Sequence, residues 1–211
     1  MTVAAVMTYD SLVDDIQTYL ERTDAQTLAK IPQFIMLAEQ IIAADIKFLG
    51  NLTVAESTMV QGDNVIAKPA RWRKTVSMNV TVDGTRSPVL LRTYEYIREY
   101  WPKQNLEDVP KFFCDYDYEH WLIGPTPAAA YTYEVLYYQR VPPLDSSNQT
   151  NWFTQYAPQA LLYGSLLQAM PFLKNDERMP MWQQNYDHII EVLKAENVMR
   201  IADRQAIARD S

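Results

Sequence analysis

The sequence predicts an α+β fold: a four-helix bundle formed by N- and C-terminal helix pairs, with an inserted antiparallel β-rich, sandwich-like domain. Three observations lead there. Apolar residues recur at helical spacing at both ends of the 211-residue chain. They alternate at a spacing of two through the middle, and the changes of period fall at turn-forming residues. The helical body is expected over 1–50 and 151–211 and the β-rich insertion over 51–150, with both ends of the insertion emerging from one helical core.

From Thr8 to Arg22, the residues Leu12, Val13, Ile16, Tyr19 and Leu20 form one stripe, and Asp10, Asp14 and Asp15 sit towards the positive end of the helix dipole. A second helix opens near Pro32, a residue favoured in a first turn. It carries Ile31, Phe34, Ile35, Ala38, Ile41, Ile42 and Ile46 on one side and is expected to stop at Gly50. The period then becomes two, through Leu52 and Val54, then Val65 and Ile66, then Val76, Met78, Val80 and Val82. Asp83-Gly84 reads as a hairpin turn, with Pro88 to Leu91 returning as the partner strand. Thr93 can cap a short helix, Tyr94 to Trp101, which Pro102 stops. Lys111 to Asp115, Glu119 to Ile123 and Tyr131 to Arg140 read as further strands, the last two separated by Gly124-Pro125-Thr126-Pro127.

Helical spacing returns near Thr154, with Pro158 in the first turn and Leu161, Leu162, Leu166, Leu167 and Met170 as the apolar stripe, until Pro171 kinks or ends it. The last periodic segment runs from Glu177 towards Ala208 with Trp182, Tyr186, Ile189, Ile190 and Leu193 on one face. At 1.5 Å per residue it is roughly 45 Å long. Beyond Leu193 the stripe thins to Val198, Ile201 and Ile207 among Arg200, Arg204 and Arg209. Forked guanidinium donors suit acidic or carbonyl-bearing partners, so Met199, Arg200, Ile201, Arg204 and Ile207 read as a docking segment, with a solvated helix end as the plainer alternative.

Hydrophobic residues make up 48% of the chain and charged residues 21%, the balance of a folded globular protein. The most apolar run, Ile31 to Leu49, is interrupted by Gln33, Glu39, Gln40, Asp45 and Lys47, so no membrane-spanning helix is expected. Met1 to Met7 lacks the basic region of a secretory signal, and the lone Cys114 suits a reducing compartment, so synthesis in a cytoplasm is expected. A net charge of −7 argues against a groove that grips nucleic acid. It leaves open a pore through which DNA slides.

Catalytic parts are sparse: two histidines, His120 and His188, and five glycines, none in a phosphate-cradling loop. In Asp115-Tyr116-Asp117-Tyr118-Glu119-His120, three carboxylates at alternate positions could ligate a hard cation or act as an acid–base pair; a solvated turn is the plainer reading. Aromatics crowd the same region, and Tyr116, Tyr118, Trp121, Tyr131 and Tyr133 read as a subunit or tail interface, with a sugar-binding or base-stacking platform as the alternative. Cys114 reads as a buried thiol rather than a nucleophile. Arg71-Trp72-Arg73-Lys74, the one basic cluster with an aromatic inside it, reads as a solvated loop, or else a contact for DNA or a carboxylate. No catalytic residue, cofactor or metal site is expected.

Several stretches together resemble the head-to-tail connector adaptor (head-completion, tail-tubular-A-like) proteins of short-tailed bacteriophages. They are Thr8-Tyr9-Asp10-Ser11-Leu12, Ile31-Pro32-Gln33-Phe34-Ile35-Met36-Leu37-Ala38-Glu39, Pro69-Ala70-Arg71-Trp72-Arg73, Tyr116 through Pro127, and Thr150-Asn151-Trp152-Phe153 with Tyr156-Ala157-Pro158. The resemblance runs from about residue 8 to about residue 195. It implies a non-enzymatic virion protein, assembled in the host cytoplasm as a ring, commonly of twelve copies, docked beneath the portal protein. The far side of the ring would receive the tail nozzle or tail fibre protein, and genomic DNA would pass through without specific binding; no membrane is involved. Adaptors of this kind reach the portal through their C-terminal region. A different class of function, a glycan-active enzyme or glycan-binding module of a phage tail, would use Asp115, Asp117 and Glu119 with Tyr116, Tyr118 and Trp121.

Overall fold

A computed structural model describes residues 6–46, 51–173 and 177–206, with 200–206 described as backbone only. The chain divides into two compact units, Met1–Gly50 with Val141–Ser211, and Asn51–Arg140. The class is α+β, as expected, with a large mixed sheet.

The first unit holds α1 (Tyr9–Leu20), α2 (Ala25–Leu28), α3 (Ile31–Asp45), α5 (Trp152–Tyr156), α6 (Pro158–Leu173) and α7 (Met179–Ala206). Thr8 and Ser11 close a capping box at the head of α1, which saturates two backbone donors that the first turn leaves open. Leu12, Ile16 and Leu20 are buried, while Tyr19, read as part of that stripe, is 41% exposed. In α3 the buried side is Ile31, Phe34, Ile35, Ala38 and Ile42, and Ile41 is turned out. The helix stops at Asp45 because Ile46 is extended (φ −123°, ψ 128°); the expected stop, Gly50, lies outside the described residues.

The helix expected from Thr154 is two helices. Asn151 caps α5, the chain leaves helical geometry at Ala157 (φ −139°, ψ 43°), and α6 starts at Pro158. A residue before proline is pushed out of the α region by the proline ring, which makes Ala157 the joint. Pro171 lies within the last turn of α6, which runs on to Leu173. The middle of this unit is α6 itself, packed against α1, α3, α5 and α7. Gly164 permits the closest approach, since a Cβ there would lie 3.3 Å from the Ala38 Cβ and 3.3 Å from the Tyr186 ring.

One carboxylate lies inside this core. Glu39 is 7% exposed; its Oε1 accepts from Asn151 Nδ2 (2.6 Å) and its Oε2 from the Leu144 N–H (3.3 Å). Asn151 also donates to the Pro142 carbonyl (3.0 Å), and the Tyr9 N–H donates to Gln149 O (2.8 Å), so the segment 141–151 is pinned to both α1 and α3. Burial pushes the Glu39 carboxyl up to about 7, against the pull of the two donated hydrogen bonds. The folded protein therefore holds a proton that the unfolded chain, with an ordinary carboxyl, releases near pH 4.5. This contribution to stability is complete below that value and declines as pH rises through about 7, by roughly 3 kcal/mol in all. Urea titrations of wild type and Glu39→Gln from pH 5 to 8 should show the decline in the former and its loss in the latter; parallel curves would exclude Glu39 as the source.

The second unit comprises β1 (Leu52–Thr58), β2 (Val65–Ala67), β3 (Trp72–Val82), β4 (Thr85–Leu91), α4 (Tyr94–Tyr100), β5 (Glu107–Asp108), β6 (Phe112–Asp115), β7 (His120–Gly124), β8 (Thr126–Pro127) and β9 (Thr132–Gln139). The large sheet has the order β1-β9-β3-β4-β6-β7-β2, and β5 pairs with β8. Asp83 (φ 48°) and Gly84 (φ 75°) form the tight turn of the β3–β4 hairpin. The strands are not all antiparallel: Leu90 and Leu91 of β4 pair in parallel with Phe112 and Phe113 of β6. A parallel pair needs a crossover, and the stretch containing α4 supplies it. The basic cluster is also not a loop, since β3 begins at Trp72 and takes in Arg73 and Lys74.

The sheet curls back on itself. Trp72 of β3 and Trp121 of β7 have two strands between them, which in a flat sheet would hold them about 14 Å apart. Their rings nevertheless meet edge to face at 6.0 Å. Met78, Val80, Tyr133, Val135 and Tyr137 from one half thus share a core with Ile66, Phe113, Trp121 and Ile123 from the other.

Candidate interaction surface

The turn between β6 and β7 carries the polar cluster singled out in the sequence, and two of its three carboxylates, Asp115 and Asp117, are engaged by neighbouring groups. The Lys68 ammonium, on a side chain only 3% exposed, is bonded to the Asp115 carboxylate and the Asp117 carbonyl, with the Tyr118 carbonyl at 3.4 Å. It lies 4.0 Å from the centre of the Trp72 ring, where the quadrupole attracts a cation. Asp117 Oδ1 accepts from the backbone N–H groups of Glu119 and His120, both at 2.7 Å, and meets His120 Nδ1 at 3.0 Å. Some desolvation acts the other way, but these hydrogen bonds hold the Asp117 carboxyl below its ordinary value. Carboxylates so engaged suit a rigid turn better than proton transfer. Among the described residues no group of three or more His, Cys, Asp or Glu side chains could hold a metal ion. Cys114 is buried, and that burial pushes its thiol pKa up, away from the nucleophilic thiolate.

Beside these carboxylates the turn presents aromatic rings outward, with guanidinium groups from neighbouring segments over them. Tyr118 is 72% exposed with the Arg140 guanidinium 5.8 Å over its ring. Tyr116 stacks on Tyr94 (6.1 Å, 24°), and Arg98 lies over Tyr94 at 5.2 Å. A depression of about 440 Å³ beside Tyr118 is lined by Lys68, Arg71, Trp72, Glu119, His120 and Arg140 among others. A second, about 580 Å³, lies between Arg92, Tyr94, Tyr96 and Asp115. Both are open, and rings alternating with guanidinium groups make a surface suited to protein contact.

Of the five aromatics assigned to an interface, Tyr116 and Tyr118 are exposed and Tyr131 is half-buried against the core. Trp121 and Tyr133 are core residues, 1% and 5% exposed, and are corrected from interface to structure. Strand parity separates them: Tyr133, Val135 and Tyr137 alternate inward along β9, and Trp121 faces Trp72 and Phe113. Composition grouped these rings where alternation would have sorted them. Lys68, the group that organises the turn, left no mark in the sequence because its partners lie 47 to 50 positions away.

In the first unit, Trp182, Tyr186 and Ile190 of α7 are buried, and α7 packs against α6. Towards its end Val198 and Met199 are 65% and 67% exposed. Arg200, Ile201 and Arg204 lie on the described backbone of α7, and Ile207 lies outside the described residues. No described helix is long and apolar enough to cross a membrane.

A family model described as SU10 adaptor protein matches residues 7–209 and so takes in both units. No curated protein matches the chain.

Proposed function

Because the chain belongs to the SU10 adaptor protein family, a family of phage head-to-tail structural adaptors, we propose that it is the subunit of a ring, of twelve copies, that docks beneath the portal. The far side of this ring receives the tail nozzle or tail fibre protein, and genomic DNA leaves through its lumen. The observation that carries the reading is the length of the family match, residues 7–209, which takes in most of both units. The net charge of −7 supports a lumen that repels phosphate and does not retain DNA. The exposed Tyr116, Tyr118 and Arg140 surface supports a contact with a neighbouring copy or the tail, and the exposed end of α7 supports a contact with the portal.

Electron microscopy of the protein mixed with its portal tests the reading. Closed rings on the portal are expected for wild type, and a monomer that ignores the portal would refute it. Deletion from Asn197 onward should abolish attachment. The isolated subunit should still melt within a few degrees of wild type, since Trp182, Tyr186 and Ile190, the buried residues of α7 among those whose side chains are described, lie before the cut. A truncated chain that still decorates portals, or that fails to fold, would show that the contact lies elsewhere.

A further inference from the structure

The outer faces of the helices are unequal. Those of α1 and α7 carry charge, with Asp10, Asp14 and Asp15 exposed on one and Glu191, Lys194 and Glu196 on the other, where they stand among the exposed Met181, Val192 and Val198. The outer face of α3 is different: Gln33, Met36, Gln40 and Ile41 are exposed, and the one charge within the helix before Asp45 is Glu39, which is buried. The run from Ser146 to Leu173, which contains α5 and α6, has no charged residue at all. It exposes Gln155, Tyr156 and Gln159, with Tyr156 64% exposed and its ring 5.5 Å from that of Trp152. A helix face turned to water ordinarily carries charge, and loss of charge with gain of Met and aromatic residues marks the centre of a protein contact.

From these two faces we infer the contact between copies in the ring: the outer face of α3 on one copy lies against the α5–α6 face around Tyr156 on the next. The inference rests on the ring reading above. A second copy is the occupant because each chain carries −7 and like-charged copies approach at least cost through uncharged surface. A ring requires two different faces on every subunit, joined head to tail, and this unit has two. Their chemistry is complementary without charge, since glutamines on both sides offer donors and acceptors to each other while Met36 and Ile41 meet Tyr156.

Full-length variants test the pairing, with ring formation on the portal read by microscopy and self-association by sedimentation. Met36→Glu with Ile41→Glu should weaken self-association at least tenfold while the chain still folds, because both residues lie at the surface, 43% and 40% exposed. Tyr156→Glu should do the same, and Ile41→Lys combined with Tyr156→Glu should recover assembly that each alone loses. Independently of any melting defect, copies carrying Gln40→Cys and Gln159→Cys should link under mild oxidation into a ladder of oligomers. Wild-type rings accompanied by undisturbed variants, by no recovery in the charge pair, or by no ladder overturn this contact alone. A wild type that forms no ring on its portal overturns the ring reading, and the contact with it.

Discussion

Asn151→Ala should lower the stability of the folded chain by about 3 kcal/mol, more than the loss of an ordinary helix cap. The side chain works in two directions. Its Oδ1 accepts from the Phe153 and Thr154 N–H groups at the head of α5 (2.9 and 3.3 Å), and such a cap is typically worth about 1 kcal/mol. Its Nδ2 donates to Glu39 at 2.6 Å, and removing the donor leaves a buried carboxyl short of a partner, at roughly 1–3 kcal/mol for an unsatisfied buried group. In a chain of this length that is a fall in melting temperature of roughly 6–12 °C. The two residues act as a unit, so Glu39→Ala with Asn151→Ala should cost less than the sum of the single changes. Additive losses in thermal and urea unfolding would mean that the 2.6 Å contact carries no coupling.

Trp121→Ala and Tyr118→Ala should part company, although the two rings lie three positions apart in a single aromatic cluster. Trp121 packs edge to face on Trp72 (6.0 Å) and on Phe113 (6.3 Å) in the centre of the curled sheet. Its truncation should cost roughly 3–5 kcal/mol, enough to disorder the β-rich unit near body temperature. Tyr118 is 72% exposed, and its truncation should stay within about 0.5 kcal/mol of wild type. Any loss of assembly by Tyr118→Ala is then a loss of contact, whereas loss by Trp121→Ala is a loss of fold. Near-ultraviolet circular dichroism separates the two, and a stable, well-packed Trp121→Ala protein would contradict the core placement.

Local signals carried most of the fold. Pro32 in a first turn, the Asp83-Gly84 hairpin and the Thr93 cap are each made by neighbours in sequence, and each is in the structure as read. What escaped depends on residues far apart. The parallel pairing of β4 with β6 needs a crossover through α4 that no alternation pattern announces. Glu39 read as a break in an apolar run, whereas it is the group that receives Asn151 from 112 positions away. The Ala157 joint was legible in principle, since Pro158 restrains its predecessor, but the apolar spacing runs through it without a change of phase.

The helical unit is assembled from the two ends of the chain, and this has a consequence for the protein as it leaves the ribosome. The apolar sides of α1 and α3 are covered chiefly by α6, which starts 113 positions after Asp45. At roughly 5–20 residues per second, α3 waits on the order of 5–20 s for its partner, with Ile31, Phe34, Ile35 and Ile42 open to solvent or to a chaperone. During that interval the strands from Asn51 to Arg140 emerge complete. The order of synthesis thus favours a β-rich unit that matures first and a helical unit whose closure waits for the last third of the chain, so nascent chains stalled before residue 158 should be the aggregation-prone species.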